Sequence, residues 1–254
     1  MIPNPIRKAL SSIRMSGVKY LLMGGQACIL YGAAEFSRDL DLIVFADPDN
    51  LGRLEVALGE LQAEIIAVPP LTPEFLERGH AVHFRCQNQD VKGLRLDIMS
   101  KLRNTAEFEA LWSRRTTVEV SPGENIEVIS LPDLVTAKKT QRDKDWPMIR
   151  RLLEAHYFLH RHHSTSEQVV FWLNELLTPE LLLEIPDRPT FHHLVKPARQ
   201  WTCEADLNPI IARQNLQMEE ETERAEDREY WQPLKAELEK LRRVRGASRP
   251  IQEP

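Results

Sequence analysis

"LLMGGQACILYGAAEFSRDLDLIVFAD", residues 21–47, joins an apolar run, a glycine pair, a short amphipathic stretch and two aspartates one residue apart. Outward from the glycines, "VKYLLM" reads as a short apolar strand. Gly24 and Gly25 then open "QACILYGAA", where Ala27, Ile29, Leu30 and Ala33 suit a short packed helix. "DLDLIVFA" is the next strand, closed by the turn residues "DPDN". Strand residues two apart share a face with Cα atoms roughly 6.5–7 Å apart, so Asp39 and Asp41 project together while Leu40 and Leu42 face away. Two ionised carboxylates that close repel each other, and either a wet face or a divalent cation must relieve them. Oxygen-only ligands favour magnesium or manganese over zinc.

A third carboxylate lies downstream. "AVHFRC" and "GLRLDIM" read as a hairpin across "QNQDVK". In the second strand Leu94, Leu96 and Ile98 share one face and Arg95, Asp97 and Met99 the other. In the first, Val82, Phe84 and Cys86 point inward, with His83 and Arg85 outward. One sheet face is thus polar, with Asp39, Asp41 and Asp97 able to meet on it. A strand that turns through two glycines directly into a helix exposes backbone N–H groups where a phosphate can approach.

Gly-Gly at a strand-to-helix turn, an Asp-x-Asp strand about a dozen residues on, and a later strand aspartate together resemble the nucleotidyltransferase superfamily with the DNA polymerase beta-like fold. More closely, "YLLMGGQACILYGAAEFSRDLDLIVF" is similar to small bacterial nucleotidyltransferase-like proteins that include abortive-infection toxins, over roughly residues 15–155. The resemblance implies that Gly24 and Gly25 hold a nucleoside triphosphate. Asp39 and Asp41 would bind Mg2+ or Mn2+, and Asp97 would share a metal and assist deprotonation of an acceptor hydroxyl. Ser37 matches the family's small hydroxyl residue. "LPDLVTAKKTQRDKDWPMIRRLLE" resembles the helix after the sheet, with Lys138, Arg142 and Asp145 at i, i+4 and i+7 on one face, so that Lys138 and Arg142 reach the phosphates while Asp145 orients Arg142. Glu35 departs from the pattern, standing where many relatives carry an arginine.

The rest of the chain frames this core. The expected fold is α/β (α+β): a mixed twisted sheet with helices on one face in a catalytic domain over residues 1–130, a helical region over 131–245, and a disordered tail over 246–254. "MEEETERAEDREYWQPLKAELEKLRRVR" reads as a long solvated helix broken or kinked near Pro233. The net charge of −5 excludes a protein whose whole surface clamps nucleic acid. Cys28, Cys86 and Cys203 are too scattered for a zinc knuckle or redox dithiol, and read as reduced thiols. No segment approaches the roughly 20 apolar residues of a membrane span, and no signal core opens the chain, which points to a cytosolic protein.

His156, His160 and His163 fall at helical spacing but lack companion carboxylates or cysteines of zinc-site spacing; they suit a helix C-terminus, and His192 and His193 read as surface or packing residues. Trp112, Trp146, Trp172, Trp201 and Trp231 read as packing residues rather than base platforms. The expected chemistry is metal-dependent transfer of a nucleoside monophosphate from an NTP to a hydroxyl of RNA, protein or a small molecule. The alternatives are an inactive module that binds nucleotide or a partner protein, as in a toxin–antitoxin-like pair, and a nucleic-acid-binding accessory protein using the basic C-terminal run.

Overall fold

The structure, a computed structural model, describes residues 4–34 and 36–247. These form two compact units: one of residues 4–30, 36–137 and 229–247, the other of residues 31–34 and 138–228. Glu35 and residues 248–254 of the expected tail lie outside the described residues.

The first unit is built on a seven-stranded mixed sheet. Its strands are β1 (Tyr20–Met23), β2 (Asp39–Val44), β3 (Ala63–Ile65), β4 (Val82–Cys86), β5 (Arg95–Met99), β6 (Thr116–Ser121) and β7 (Glu124–Val128), in the order β3-β4-β5-β2-β1-β7-β6. β2 lies at the centre, antiparallel to β1 and parallel to β5. The expected hairpin of β4 and β5 is present and antiparallel. Leu40, Leu42, Leu96, Ile98, Val82 and Phe84 fill one face as core, as the period-2 alternation requires.

Helix α1 (Asn4–Met15) buries Ile6, Ala9, Leu10 and Ile13, an i, i+3, i+4, i+7 stripe, and gives way to Gly17 at φ +71°. Helix α2 (Gly24–Leu30) starts directly from β1. Helix α3 (Pro48–Glu60) begins at an Asp47 cap whose carboxylate accepts from the Asp49 and Asn50 backbone N–H groups. Fully buried Asn50 accepts from the Lys19 N–H and donates to the Lys19 and Phe45 carbonyls, so one amide ties the end of β2 to the start of β1. Short helices α4 (Pro73–Glu77) and α5 (Phe108–Ser113) follow, then α6 (Leu131–Lys138).

The second unit is helical: α7 (Asp145–His160), α8 (Ser166–Glu175), α9 (Pro179–Glu184), three 3-10 stretches and the first part of α10 (Pro209–Ala247). Trp146, Ile149, Leu153, Trp172, Leu173 and Leu182 are among its core residues. Buried within it, Lys139 lies between Glu175 (2.9 Å) and Glu219 (3.0 Å), and Arg199 Nε pairs with Glu219 at 2.5 Å.

Two expectations are corrected. Residues 131–154 are not one helix: the chain leaves the helix after Lys138 and restarts at Asp145, so Lys138, Arg142 and Asp145 do not share a helical face. Pro147 explains the restart, because proline lacks the N–H of a helix interior and fits a first turn. The intervening backbone is satisfied by side chains instead: Trp146 Nε1 donates to the Thr140 carbonyl, Arg224 to the Gln141 carbonyl, and Asp227 accepts from the Gln141 N–H. Of the break or kink expected near Pro233, the break is absent: α10 runs as one helix through that residue.

Cys28, Cys86 and Cys203 are buried and none is in a disulfide. Among the described residues no helix is long and apolar enough to cross a membrane.

Candidate active site on the polar sheet face

Strand register decides which side chains meet. Asp41 lies opposite Asp97 on β5 and Met23 on β1, and Asp97 lies opposite His83 on β4. One row runs across the sheet as Met23, Asp41, Asp97 and His83. The adjacent row holds Asp39, Arg95 and Arg85. Paired residues share a face, so Asp39, Asp41 and Asp97 project from the same side, Asp41 and Asp97 from strands about 4.8 Å apart.

Gly24 and Gly25 border this row because Met23, the partner of Asp41, is the last residue before them. Gly24 has φ +66°, and a Cβ there would overlap the Asp41 carboxylate. A Cβ at Gly25 would overlap the Ser37 hydroxyl. The glycine turn is therefore pressed against Asp41 and Ser37, and only hydrogen side chains fit the gap. Gln26, which the sequence did not single out, is fully buried and donates from Nε2 to the Ser37 carbonyl at 2.9 Å. Its Oε1 is buried and accepts no hydrogen bond among the described residues.

Asp97 is the most enclosed carboxylate of the three, and its Oδ1 accepts from Arg95 Nε at 2.9 Å. His83 Nδ1 lies 2.9 Å from the same oxygen. A carboxylate is the stronger acceptor, so Nδ1 carries the proton, and the 3.3 Å approach of Arg95 Nη2 to that nitrogen is no hydrogen bond. Burial, the largest single effect, pushes the Asp97 carboxyl up, but His83 and Arg95 together outweigh it and hold it below the usual carboxylate range. The hydrogen bond to Asp97 raises the Arg95 guanidinium, with the fields of Asp97, Asp39 and Asp41 adding to it against an opposing effect of burial. His83 and Arg95 are the contributors the sequence left unassigned. Their signal was strand parity, which puts both on the face of Asp97.

Among the described residues, no group of three or more His, Cys, Asp or Glu side chains stands as it is in an arrangement to hold a metal ion. The donor set itself suits a hard divalent cation: three carboxylates, oxygen only, on one face.

Lys138 and Arg142 belong to the second unit, where Asp145 collects both. Lys138 Nζ lies 3.5 Å from Oδ1, Arg142 Nε donates to Oδ2 at 2.8 Å, and Thr140 adds a 2.6 Å hydrogen bond. Lys139 is buried beside Glu175 and Glu219, with Glu223 at 3.9 Å. His156 accepts from Trp172 Nε1 at 2.9 Å, and burial, with a smaller push from His160, drives its pKa down to about 4. A cleft of about 530 Å3 in the second unit, with Trp146, Arg150, Glu154, Leu216 and Arg224 on its walls, mixes both charges and contains none of the three site aspartates.

No family model and no curated protein matches the chain. Among solved structures it is similar to JHP933 from Helicobacter pylori, at 15% identity and a TM-score of 0.37, covering 91% of this chain and 95% of that one. It is also similar to a structure described as a "putative nucleotidyltransferase from H. pylori", at 15% identity and a TM-score of 0.36, covering 87% and 94%.

Proposed function

We propose that the first unit is a nucleotidyltransferase that moves a nucleoside monophosphate from an NTP to a hydroxyl acceptor with release of pyrophosphate. The observation that carries this reading is the register that sets Asp39, Asp41 and Asp97 on one face, beside a glycine turn pressed against Asp41. Asp39, Asp41 and Asp97 would hold Mg2+ or Mn2+, which when bound neutralises phosphate charge and acidifies the attacking hydroxyl.

The chain's own groups supply the rest. The side-chain-free turn at Gly24 and Gly25 lets phosphate approach the backbone, and Ser37 offers a hydroxyl at its edge. Asp97, kept ionised by Arg95 and His83 in the cation-free protein, retains Oδ2 as an acceptor for the hydroxyl proton. The acceptor oxygen bonds to the α-phosphorus as the bond to pyrophosphate breaks.

A second reading, a nucleotide-binding module without chemistry, is favoured by one observation: Asp97 Oδ1 is already committed to Arg95 and His83. One experiment separates the two. The chain is incubated with each labelled NTP, Mg2+ or Mn2+, and an extract divided into RNA, protein and small molecules, beside an Asp39→Ala, Asp41→Ala variant. Transfer by the unaltered chain alone is the expected result. Nucleotide binding without transfer would overturn the catalytic reading in favour of the module.

A further inference from the structure

The third carboxylate of the proposed site is already answered by a cation of the same strand. Arg95 stands two residues before Asp97 on β5 and opposite Asp39 on β2, so its guanidinium rises from within the carboxylate face. Arg95 Nε and His83 Nδ1 both lie 2.9 Å from Asp97 Oδ1, which fills that oxygen's two lone pairs. The arginine side chain is 40% exposed, against 11% for Asp97, so it can swing away while the carboxylate stays in place. All three carboxylates act on Arg95, since the fields of Asp97, Asp39 and Asp41 each favour its charged form.

A divalent cation drawn to those oxygens would enter the space the guanidinium commands. Like charges at such range repel, and the interaction is strong where protein displaces water. Arginine stays charged at every working pH, so the competition cannot be relieved by losing a proton. Resting on the reading of this face as a cation site, we propose that Arg95 is a resident counter-ion that competes with the divalent cation, and must leave Asp97 before that cation can bind.

The test is a Mn2+ titration of the full chain at neutral pH without nucleotide, with free Mn2+ read by its paramagnetic resonance signal. It compares the unaltered protein with Arg95→Ala, Arg95→Gln and Arg95→Lys, each checked for folding by circular dichroism. Gln keeps a donor without the charge, and Lys keeps the charge without the fork. The Ala and Gln variants should bind Mn2+ at least about tenfold tighter, with Lys within about threefold of the unaltered chain. Equal or weaker binding in Ala and Gln, with Asp39→Ala still abolishing it, would overturn the counter-ion role and leave the cation site standing. Tightening in Lys as large as in Ala would overturn it too, because charge would not be the cause. No saturable Mn2+ binding in any form would overturn the cation-site reading, and this inference with it.

Discussion

At the scale of single residues, the glycine turn has almost no room for change. Gly24→Ala places an L residue at φ +66° and drives its Cβ into the Asp41 carboxylate, so it should cost about 1–2 kcal/mol from backbone strain alone. With Asp41 displaced, transfer should fall on the order of a hundredfold. Denaturant unfolding and turnover on the same preparations check both. Gly25→Ala collides only with the Ser37 side chain, so Ser37→Gly in the same chain should recover most of the lost stability, a non-additivity that a double-mutant cycle reads directly. The aspartates and the glycine pair were legible from spacing, because strand parity is a local property of sequence. The hold of Arg95 and His83 on Asp97 was not, because it depends on register between β4 and β5, and the sequence specifies parity more firmly than partners.

Among the elements, strands and helices were legible to different degrees. β2, β4 and β5 lie where alternation puts them, since one buried face forces a period of two. The break between α6 and α7 was obscured because polar residues either side of it remain compatible with a helix, and Pro147 was the available signal. Asp145 closes that break. Burial, the largest effect, raises its carboxyl, yet Lys138, Thr140 and Arg142 outweigh it and leave it below the usual range. A depressed carboxyl stabilises the fold above its unfolded pKa of about 3.9, and the contribution is lost as pH falls through the lower folded value. Asp145→Asn should therefore cost about 1.5–3 kcal/mol at pH 7, and the gap to the unaltered chain should close as the medium is brought below about pH 4. Urea unfolding followed by tryptophan fluorescence across that range is the measurement.

For the molecule as a whole, the first unit is discontinuous, and its last part, residues 229–247 of α10, is a packing partner rather than an appendage. Gly79, at φ +95°, leaves no room for a Cβ beside the Tyr230 hydroxyl, buried His80 meets Glu237 at 2.7 Å, and Arg78 pairs with the same glutamate at 2.9 Å. Leu234 is buried in the same segment. A chain ended after Arg228 should lose about 2 kcal/mol or more from the sheet unit. Its calorimetric Tm should fall, and a peptide of residues 229–247 added in trans should raise it again. An unchanged Tm would show that the segment contributes nothing to that unit.

The same discontinuity sets an order of events during synthesis. All seven strands leave the ribosome before the helix that covers Gly79 and His80, and residues 138–228 must be translated in between. At roughly 5–20 residues per second that interval lasts on the order of five to twenty seconds. Through it the nascent sheet holds a buried-type histidine and its apolar surroundings open, a window in which a chaperone or a wrong neighbour can reach them first.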